Sequence, residues 1–232
     1  MEILGLIPAR GGSKSIPGKN ICSVGGRPLL AYTADAALAS RRLSRIVLST
    51  DDPQIAKVGK WLGLEVPFLR PNLISQDESP AIDVMQHALR FLEDDGYRPD
   101  AVMLLQPTSP LRRAEHIDQA VSILETTGAN TVVSVVRVPH QFNPVSVMKI
   151  NDDRLTPFSS GAMITRRQDK PEVYARNGPA ILLTRTEVLL GDNQLYGDDC
   201  RPLVMDAHDS ADIDEPADLD YIEYLLARRV AA

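Results

Sequence analysis

The sequence has few of the residues that build metal clusters and disulfide frameworks. Its 232 residues include two cysteines, Cys22 and Cys200, and four histidines scattered along the chain. There is no CxxC motif and no grouping of histidine with cysteine. The pattern therefore encodes neither a zinc site nor a disulfide framework, and no histidine is a first choice as acid or base.

The chain also lacks long apolar runs and an excess of basic residues. Its apolar segments are of strand length, well short of the roughly 20 residues that span a bilayer. Residues 1–8 lack the basic start of a signal peptide. A net charge of −6 gives no overall basic field to hold nucleic acid. We therefore expect a cytoplasmic protein that binds neither nucleic acid nor membrane.

Short apolar patterns alternate along the first half of the chain, and 44% hydrophobic residues are enough to fill a core. Strand patterns at residues 3–7, 45–49, 65–69, 101–105 and 131–136 alternate with helical patterns at 28–39, 53–61, 80–93 and 114–126. Repeated βαβ units predict an α/β fold with a mostly parallel sheet. In such a sheet the ligand crevice lies beyond the carboxyl ends of the strands.

The pattern changes at about residue 139. Residues 145–158 predict an antiparallel hairpin, and a polar stretch at 165–171 follows it. Regular patterns return with strands at 180–184 and 202–205 and helices near 187–190 and at 216–228. We expect one domain over residues 1–232, with an inserted arm over residues 139–178.

The first predicted strand runs directly into a loop rich in glycine and cations. The loop contains Arg10, Gly11, Gly12, Ser13, Lys14, Gly18 and Lys19. Glycines let a backbone approach a polyanion closely, and the cations oppose its charge. The spacing matches neither a Walker A motif nor GxGxxG. The loop predicts a triphosphate cradle, and the alternative is a solvated basic turn.

Two carboxylates, those of Asp212 and Asp214, flank Ile213 just before the last predicted helix. In an extended segment, residues two apart point to the same side, so both could face one Mg²⁺ while Ile213 turns into the core. Alternatively, Asp214 caps the helix, and the negative charge of Glu215 interacts favourably with the helix dipole. Periodicity leaves both interpretations open.

Polar side chains also follow the strand at 101–105. The segment LLQPTSPLRR offers an amide, two hydroxyls and two arginines, from Gln106, Thr108, Ser109, Arg112 and Arg113. Rigid polar groups at the carboxyl end of a strand are typical of small-molecule sites. The alternative is a proline-rich turn in which Ser109 caps the next helix and both arginines lie in solvent.

The segments IPARGGSKSIPGKN, LLQPTSPLR and the later DID together resemble the CMP-N-acylneuraminate synthetases, the cytidylyltransferases that activate sialic acids. The resemblance covers nearly the whole chain. It implies a Rossmann-like nucleotidyltransferase three-layer fold. It also implies that CTP and a nonulosonic acid give a CMP-sugar and pyrophosphate with Mg²⁺, in a homodimer whose small protruding arm reaches the partner's site.

The resemblance also implies residue roles. CTP binding falls on Arg10, Gly11, Gly12, Ser13, Lys14, Lys19, Asn20, Arg70 and Ser79. Sugar binding falls on Gln106, Thr108, Ser109, Arg167 and Asn177. Asp212 and Asp214 are the implied metal ligands, and with Arg10 and Lys19 they form the expected catalytic set.

Two positions depart from the family pattern. Pro80 and Ala81 stand where a serine is expected, and Ser79 is the nearest hydroxyl. Ser146 stands nearest to a lysine that several relatives extend to the neighbouring subunit's substrate. The sugar acid therefore need not be N-acetylneuraminic acid.

Two other functions stay open. The chain could be a cytidylyltransferase for the eight-carbon acid Kdo, or act on another sugar, although QPTSPLR favours the nine-carbon acids. It could also be a nucleotide-binding regulator without catalysis. Retention of Arg10, Lys19, Asp212 and Asp214 argues against that last interpretation.

Overall fold

Strands and helices alternate along the chain in the computed structural model, which describes residues 1–159 and 164–230. The strands are β1 (Ile3–Pro8), β2 (Ser23–Val24), β3 (Arg27–Pro28), β4 (Arg45–Ser49), β5 (Ala101–Leu104), β6 (Thr131–Arg137), β7 (Met148–Asn151), β8 (Arg154–Pro157), β9 (Tyr174–Arg176), β10 (Leu182–Arg185) and β11 (Cys200–Met205). The helices are α1 (Leu29–Leu38), α2 (Pro53–Trp61), α3 (Ala81–Asp94), α4 (Ala114–Thr127), α5 (Thr186–Leu190) and α6 (Pro216–Val230). None of these helices is long and apolar enough to cross a bilayer.

The main sheet has the strand order β11-β6-β10-β5-β1-β4, and β9 pairs with β6. Strands β4, β1, β5, β6 and β11 all run in one direction, while β9 and β10 run antiparallel to their neighbours. The predicted mostly parallel α/β sheet is confirmed. Its carboxyl-end edge receives the loops that follow β1 and β5.

Residues 65–69 do not form the predicted strand. Glu65 makes a single parallel bridge to Val47, and the ladder stops there. Pro67 has no backbone N–H to donate, so it cannot continue the pairing. The chain nevertheless stays beside the sheet, because the Arg70 amide donates to the Thr50 carbonyl at 2.7 Å. Arg70 is thereby fixed just past the carboxyl end of β4.

Two apolar clusters cover the two faces of the sheet. Alternate residues of β1 divide between them, with Ile3 and Ile7 in one cluster and Leu4 and Leu6 in the other. The first cluster includes buried residues of α1, α2 and α4, and the second includes residues of α3 and α5. Helices on both faces of a central sheet give the expected three-layer fold.

A third apolar cluster joins the beginning of the chain to its last helix. Ile16, after β1, packs in this cluster with Ile213 and with Ile222 of α6. The Gly25 amide also donates to the Glu223 carboxylate at 2.8 Å. These contacts hold the segment before α6 against the loop that follows β1.

The predicted hairpin is present as the antiparallel pair β7 and β8, in which Ile150 faces Leu155. Its strands are shorter than the predicted 145–158 segment. Both paired side chains are exposed, to 75% and 67%. Residues 160–163 of the predicted arm lie outside the described residues.

Candidate active site

A cavity of about 250 Å³ lies at the carboxyl ends of β1 and β5, near the lower end of the roughly 300–1,000 Å³ typical of small-molecule sites. Three loops and the start of α3 line it, with Pro8, Arg10, Ser13, Lys19, Asn20, Arg70, Ile74, Gln76, Asp77, Ser79, Ala81, Val84, Leu104, Gln106, Pro107 and Thr108. The structure thus brings predicted nucleotide-binding and sugar-binding residues into one crevice. Its position is where open α/β sheets bind ligands.

The loop after β1 is held in a defined shape by hydrogen bonds to its backbone. The buried Asn20 amide donates to the Arg10 carbonyl at 2.9 Å, and the Gly11 amide donates to the Asp51 carboxylate at 3.0 Å. A Cβ atom on Gly11 would lie 2.6 Å from a carboxylate oxygen of Asp52. Glycine is therefore required where the loop passes this carboxylate.

Asp77 forms ion pairs with two of the cations that are predicted to bind phosphate. Its carboxylate pairs with Arg10 and lies 2.5 Å from the exposed Lys14 ammonium. Hydrogen bonds from Lys14 and Arg10 hold the pKa of Asp77 below its usual value. A Cβ on Gly12 would meet nothing within 4 Å, so this side of the loop faces open space. Asp77 belongs to a different loop, and no local pattern marks it as a partner of these cations.

Arg70 is a buried cation on another wall of the cavity. Its Nε donates to the Ser75 hydroxyl at 2.9 Å, and its Nη2 lies 3.9 Å from the Asp51 carboxylate. Burial lowers the pKa of Arg70, and Asp51 acts in the opposite direction. Because Asp51 also accepts from Gly11, it links this arginine to the loop after β1.

Ser79 lines the cavity, and it does not cap the neighbouring helix α3. Its hydroxyl accepts a hydrogen bond from the Gln76 amide at 2.9 Å. Pro80 holds the N-cap position of α3, without a side-chain cap. Serine hydroxyls often close such local turns in competition with helix capping.

The segment before α6 meets the cavity through Lys19. The Lys19 ammonium donates to the carbonyls of Ile213 and Asp214, at 2.9 and 3.4 Å. Ile213 is fully buried, while Asp212 is half-buried and Asp214 is exposed, as the alternation predicted. The Ile213 amide donates to the Thr108 carbonyl at 2.9 Å. Loops from the start, middle and end of the chain therefore meet here.

Ser109 contacts one of the two carboxylates, that of Asp212. Its fully buried hydroxyl donates to Asp212 Oδ1 at 3.0 Å. The N-cap of α4 is Arg113, so the alternative in which Ser109 caps this helix is wrong. A Cβ on Gly178 would lie 3.3 Å from the Ser109 hydroxyl, and its φ of 113° also disfavours any side chain. Glycine at position 178 thus lets the backbone pass close to Ser109 and Asp212.

The alternative in which Asp214 caps α6 is not what the contacts show. The amides of Asp214 and Glu215 both donate to the Asp218 carboxylate, each at 2.8 Å. The carboxylate that satisfies the start of α6 is thus supplied by Asp218, from within the helix. The side chain of Asp214 stays exposed.

The two carboxylates suit Mg²⁺, which usually binds to one or two protein carboxylates together with substrate phosphates and waters. Over residues 1–159 and 164–230, no three His, Cys, Asp or Glu side chains form a cluster that could hold a metal ion. Asp212 and Asp214 supply the one or two carboxylates that such a Mg²⁺ site takes from the protein.

Three residues predicted to bind the sugar do not line this cavity, namely Ser109, Asn177 and Arg167. Asn177 is buried; its amide oxygen accepts from the Ser134 hydroxyl at 2.5 Å, and its amide nitrogen donates to the Ser210 hydroxyl at 2.8 Å. It fixes the link between β9 and β10. Arg167 lines a separate polar cavity of about 190 Å³ in the arm, together with Lys170.

Of the two arginines that end LLQPTSPLRR, Arg112 is not solvated, so that alternative is wrong for this residue, whereas the Arg113 side chain is exposed. Arg112 is 2% exposed and donates only within the protein interior. Arg113 lies 2.9 Å from the carboxylate of Asp209. Ala180, Thr33 and Asp209, which pair with these two arginines, lie in distant parts of the chain, and the local sequence does not indicate these contacts.

Comparison with known proteins decides the family. Residues 4–230 match the family described as Cytidylyltransferase. The chain belongs to the cytidylyltransferase family. This cytidylyltransferase is therefore an enzyme of nucleotidyl transfer, and the cations Arg10, Lys19 and Arg70 line its cavity.

Relatives with known names support this assignment. The cytidylyltransferase is 36% identical to the CMP-N,N'-diacetyllegionaminic acid synthase of Legionella pneumophila, over 97% of both chains. It is 31% identical to the N-acylneuraminate cytidylyltransferase of Escherichia coli, over 94% of this chain and 51% of that protein. A solved CMP:2-keto-3-deoxy-manno-octonic acid synthetase, complexed with CTP, shares the fold with a TM-score of 0.74 and 18% identity, covering 99% and 100% of the two chains.

Proposed function

We propose that this cytidylyltransferase transfers CMP from CTP to a nonulosonic acid and releases pyrophosphate, with Mg²⁺ as its cofactor. The observation that carries the proposal is the contact of Lys19 with the segment that holds Asp212 and Asp214, at the edge of the cavity. Cations and a carboxylate pair at one crevice match the charge of a nucleotide triphosphate with its metal. The names of the Legionella and E. coli relatives favour nonulosonic acids over Kdo.

Arg10 and Lys19 are proposed to hold the phosphates of CTP. Phosphoryl and nucleotidyl transfers need little covalent help from a protein, so alignment and charge neutralisation are its main contributions. Ser13, Asn20, Arg70 and the backbone around the two glycines complete the nucleotide side. Lys14 lies at the open rim, where it meets only the outer end of a polyphosphate.

The sugar acid is proposed to bind at Gln106, Thr108 and Ser109. Gln106 and Thr108 line the cavity, and Ser109 contacts Asp212. This arrangement sets the sugar beside the carboxylates.

In the proposed reaction, the anomeric hydroxyl oxygen of the acid forms a bond to the α-phosphorus of CTP. The bond from that phosphorus to the oxygen bridging the β-phosphate breaks, and pyrophosphate leaves with its electron pair. We assign no side-chain base to this reaction. The hydroxyl proton therefore passes to solvent. When bound at Asp212 and Asp214, Mg²⁺ would neutralise phosphate charge and acidify the attacking hydroxyl. Arg10 and Lys19 oppose the charge that develops on the leaving group.

A homodimer is part of the proposal. The hairpin exposes the apolar pair Ile150 and Leu155, and Arg167 lies outside the cavity of its own chain. The Lys170 ammonium donates to the Ser146 hydroxyl at 2.7 Å, so the arm carries a cation next to Ser146. We infer that residues 1–232 form one domain whose arm, over residues 139–178, reaches a second subunit. The cytoplasmic location stays a prediction.

The first test is a substrate screen. We expect the protein with CTP and Mg²⁺ to form a CMP conjugate with a nonulosonic acid from a panel of diacetyllegionaminic, pseudaminic and N-acetylneuraminic acids, measured by mass and by pyrophosphate release. Kdo and the other nucleoside triphosphates serve as comparisons. Product with Kdo alone would support the eight-carbon alternative. CTP binding without product from any acid would support the regulator.

The Asp77→Asn variant is expected to have a KM for CTP about threefold lower than the wild type. Asp77 pairs with Arg10 and Lys14, so its carboxylate competes with the phosphates for both cations, and exposed ion pairs are individually weak. Steady-state kinetics at fixed sugar acid measures the change. Glu78→Gln, at the exposed neighbouring position, is the matched control. A higher KM in Asp77→Asn would show that Asp77 supports CTP binding instead.

A further inference from the structure

Arg112 connects three separate segments beneath the cavity. Its Nη1 donates to the carbonyl of Gln106 at 3.1 Å and to the carbonyl of Ala180 at 2.6 Å. Its Nη2 donates to the Thr33 hydroxyl at 2.6 Å. The side chain lies in the interior, so these bonds form away from solvent.

The sheet explains why donors are needed at this point. Strands β5 and β10 pair as far as Leu104 and Leu182, and the paired ladder stops there. Buried carbonyls require a partner, and the carbonyls of Gln106 and Ala180 lie just beyond the last pair. Arg112 supplies both partners from one guanidinium. Arg112 therefore joins the segments that extend β5 and β10 beyond the point where the two strands stop pairing with each other.

Both linked segments lead to the carboxylate pair. Beyond Gln106, the Thr108 carbonyl accepts from Ile213, and the Ser109 hydroxyl donates to Asp212. Just before Ala180, the backbone at Gly178 packs close to these same groups. The separation of the two segments thus sets where the Ser109 hydroxyl and the Asp212 carboxylate lie.

The use of arginine here is chemically specific. A buried charge is costly, and apolar residues of similar volume often stabilise a fold equally well. Guanidinium presents several donors in a rigid planar fork, whereas a lysine ammonium is a compact charge on a flexible stem. Burial lowers the pKa of Arg112 to about 9, with Asp212 acting in the opposite direction. A lysine at this position could not span the same three acceptors.

We propose that Arg112 is a positioning residue for the sugar-acid half of the site. It fixes the loop of Gln106 and Ser109 against the segment of Gly178 and Ala180, and it touches neither substrate. This inference rests on the proposed function, since it takes that loop as the binding site of the acid.

The nucleotide half has anchors of its own. The loop after β1 is held by Asn20 and by the bond from Gly11 to Asp51, and Arg70 is fixed by Ser75. Loss of the Arg112 bonds should therefore affect the acid far more than CTP. If Arg112 only stabilised the fold, its loss would weaken the binding of CTP and of the sugar acid to a similar extent.

The experiment compares Arg112→Lys and Thr33→Val with Arg185→Lys. Arg185 is the matched control, because its Nε donates to the Ala129 carbonyl at 2.8 Å, far along the sheet from the cavity. We expect Arg112→Lys to lower kcat/KM for the acid about 100-fold, as small misplacements in an active site do, while the Kd for CTP changes less than twofold. Thr33→Val removes one of the three Arg112 bonds together with the 3.5 Å bond from the Thr33 hydroxyl to the Gln106 carbonyl, and we expect a loss of about threefold. Calorimetry gives the Kd, and thermal unfolding reports the fold.

Each outcome decides the inference. Equal losses for CTP and for the acid in Arg112→Lys, or no loss for either, would overturn it. If Arg112→Lys does not fold, unchanged acid kinetics in Thr33→Val would overturn it, and an acid-specific loss there would support it. A wild-type protein that converts no acid in the screen would contradict the proposed function, and the inference would fall with it. An active wild type with insensitive variants contradicts the inference alone.

Discussion

In the Asp212→Ala variant, we expect kcat with CTP and the sugar acid to fall at least about 100-fold, the usual effect of removing one electrostatic stabiliser. Asp212 is half-buried beside the cavity and accepts from Ser109. Its removal leaves Asp214 as the remaining carboxylate of the proposed Mg²⁺ site, and it frees a buried hydroxyl. Initial rates across a Mg²⁺ titration measure the change.

Two further variants separate charge from structure. Asp212→Asn keeps an oxygen that can accept from Ser109, so a loss as large as in Asp212→Ala would identify the charge as the important property. Asp220→Ala removes an exposed carboxylate of α6 and should leave the rate unchanged. Near-normal turnover of Asp212→Ala without raised Mg²⁺ would remove this residue from the metal site.

The Lys19→Ala variant should lose about 10- to 100-fold in kcat/KM for CTP, with part of the loss in kcat. A hydrogen bond to a charged group contributes roughly 1.5–3 kcal/mol, and the phosphates would be left without this cation. Lys19 also donates to the carbonyls of Ile213 and Asp214, so its loss loosens the contact between the two loops. Steady-state kinetics with varied CTP tests both effects.

Lys57→Ala is the control for Lys19→Ala, because Lys57 is an exposed lysine on α2. Lys19→Arg keeps the charge and should recover part of the activity. Wild-type kinetics in Lys19→Ala would reduce Lys19 to a structural link between the loops.

Features encoded by neighbouring residues could be predicted from the sequence. The helix predicted at 53–61 is present as α2, where the Asp52 carboxylate accepts from the amides of Gln54 and Ile55 and Pro53 takes the first helical position. The apolar run of β5 and the burial of Ile213 between two acids also follow from local periodicity.

Features that depend on distant partners could not be predicted. Arg112 is buried because its acceptors lie on α1 and just before β10, and the sequence around it resembles an exposed turn. The pairing of Asp77 with Arg10 joins residues 67 positions apart. The family resemblance assigns Asn177 to the sugar, but its amide is bonded in the interior. Local patterns carry no information on such long-range contacts.

The antiparallel placement of β10 beside β6 has a consequence for how substrate preference can change. The chain leaves β6 at Arg137 and enters β10 at Leu182 along one edge, so everything between them departs from and returns to the same place. Such an excursion can be lengthened, shortened or exchanged without altering the register of β1, β4 and β5. None of the described residues of this excursion before β9 lines the cavity, so an exchange confined to that part would keep the cavity wall and the contacts of Gly178 unchanged.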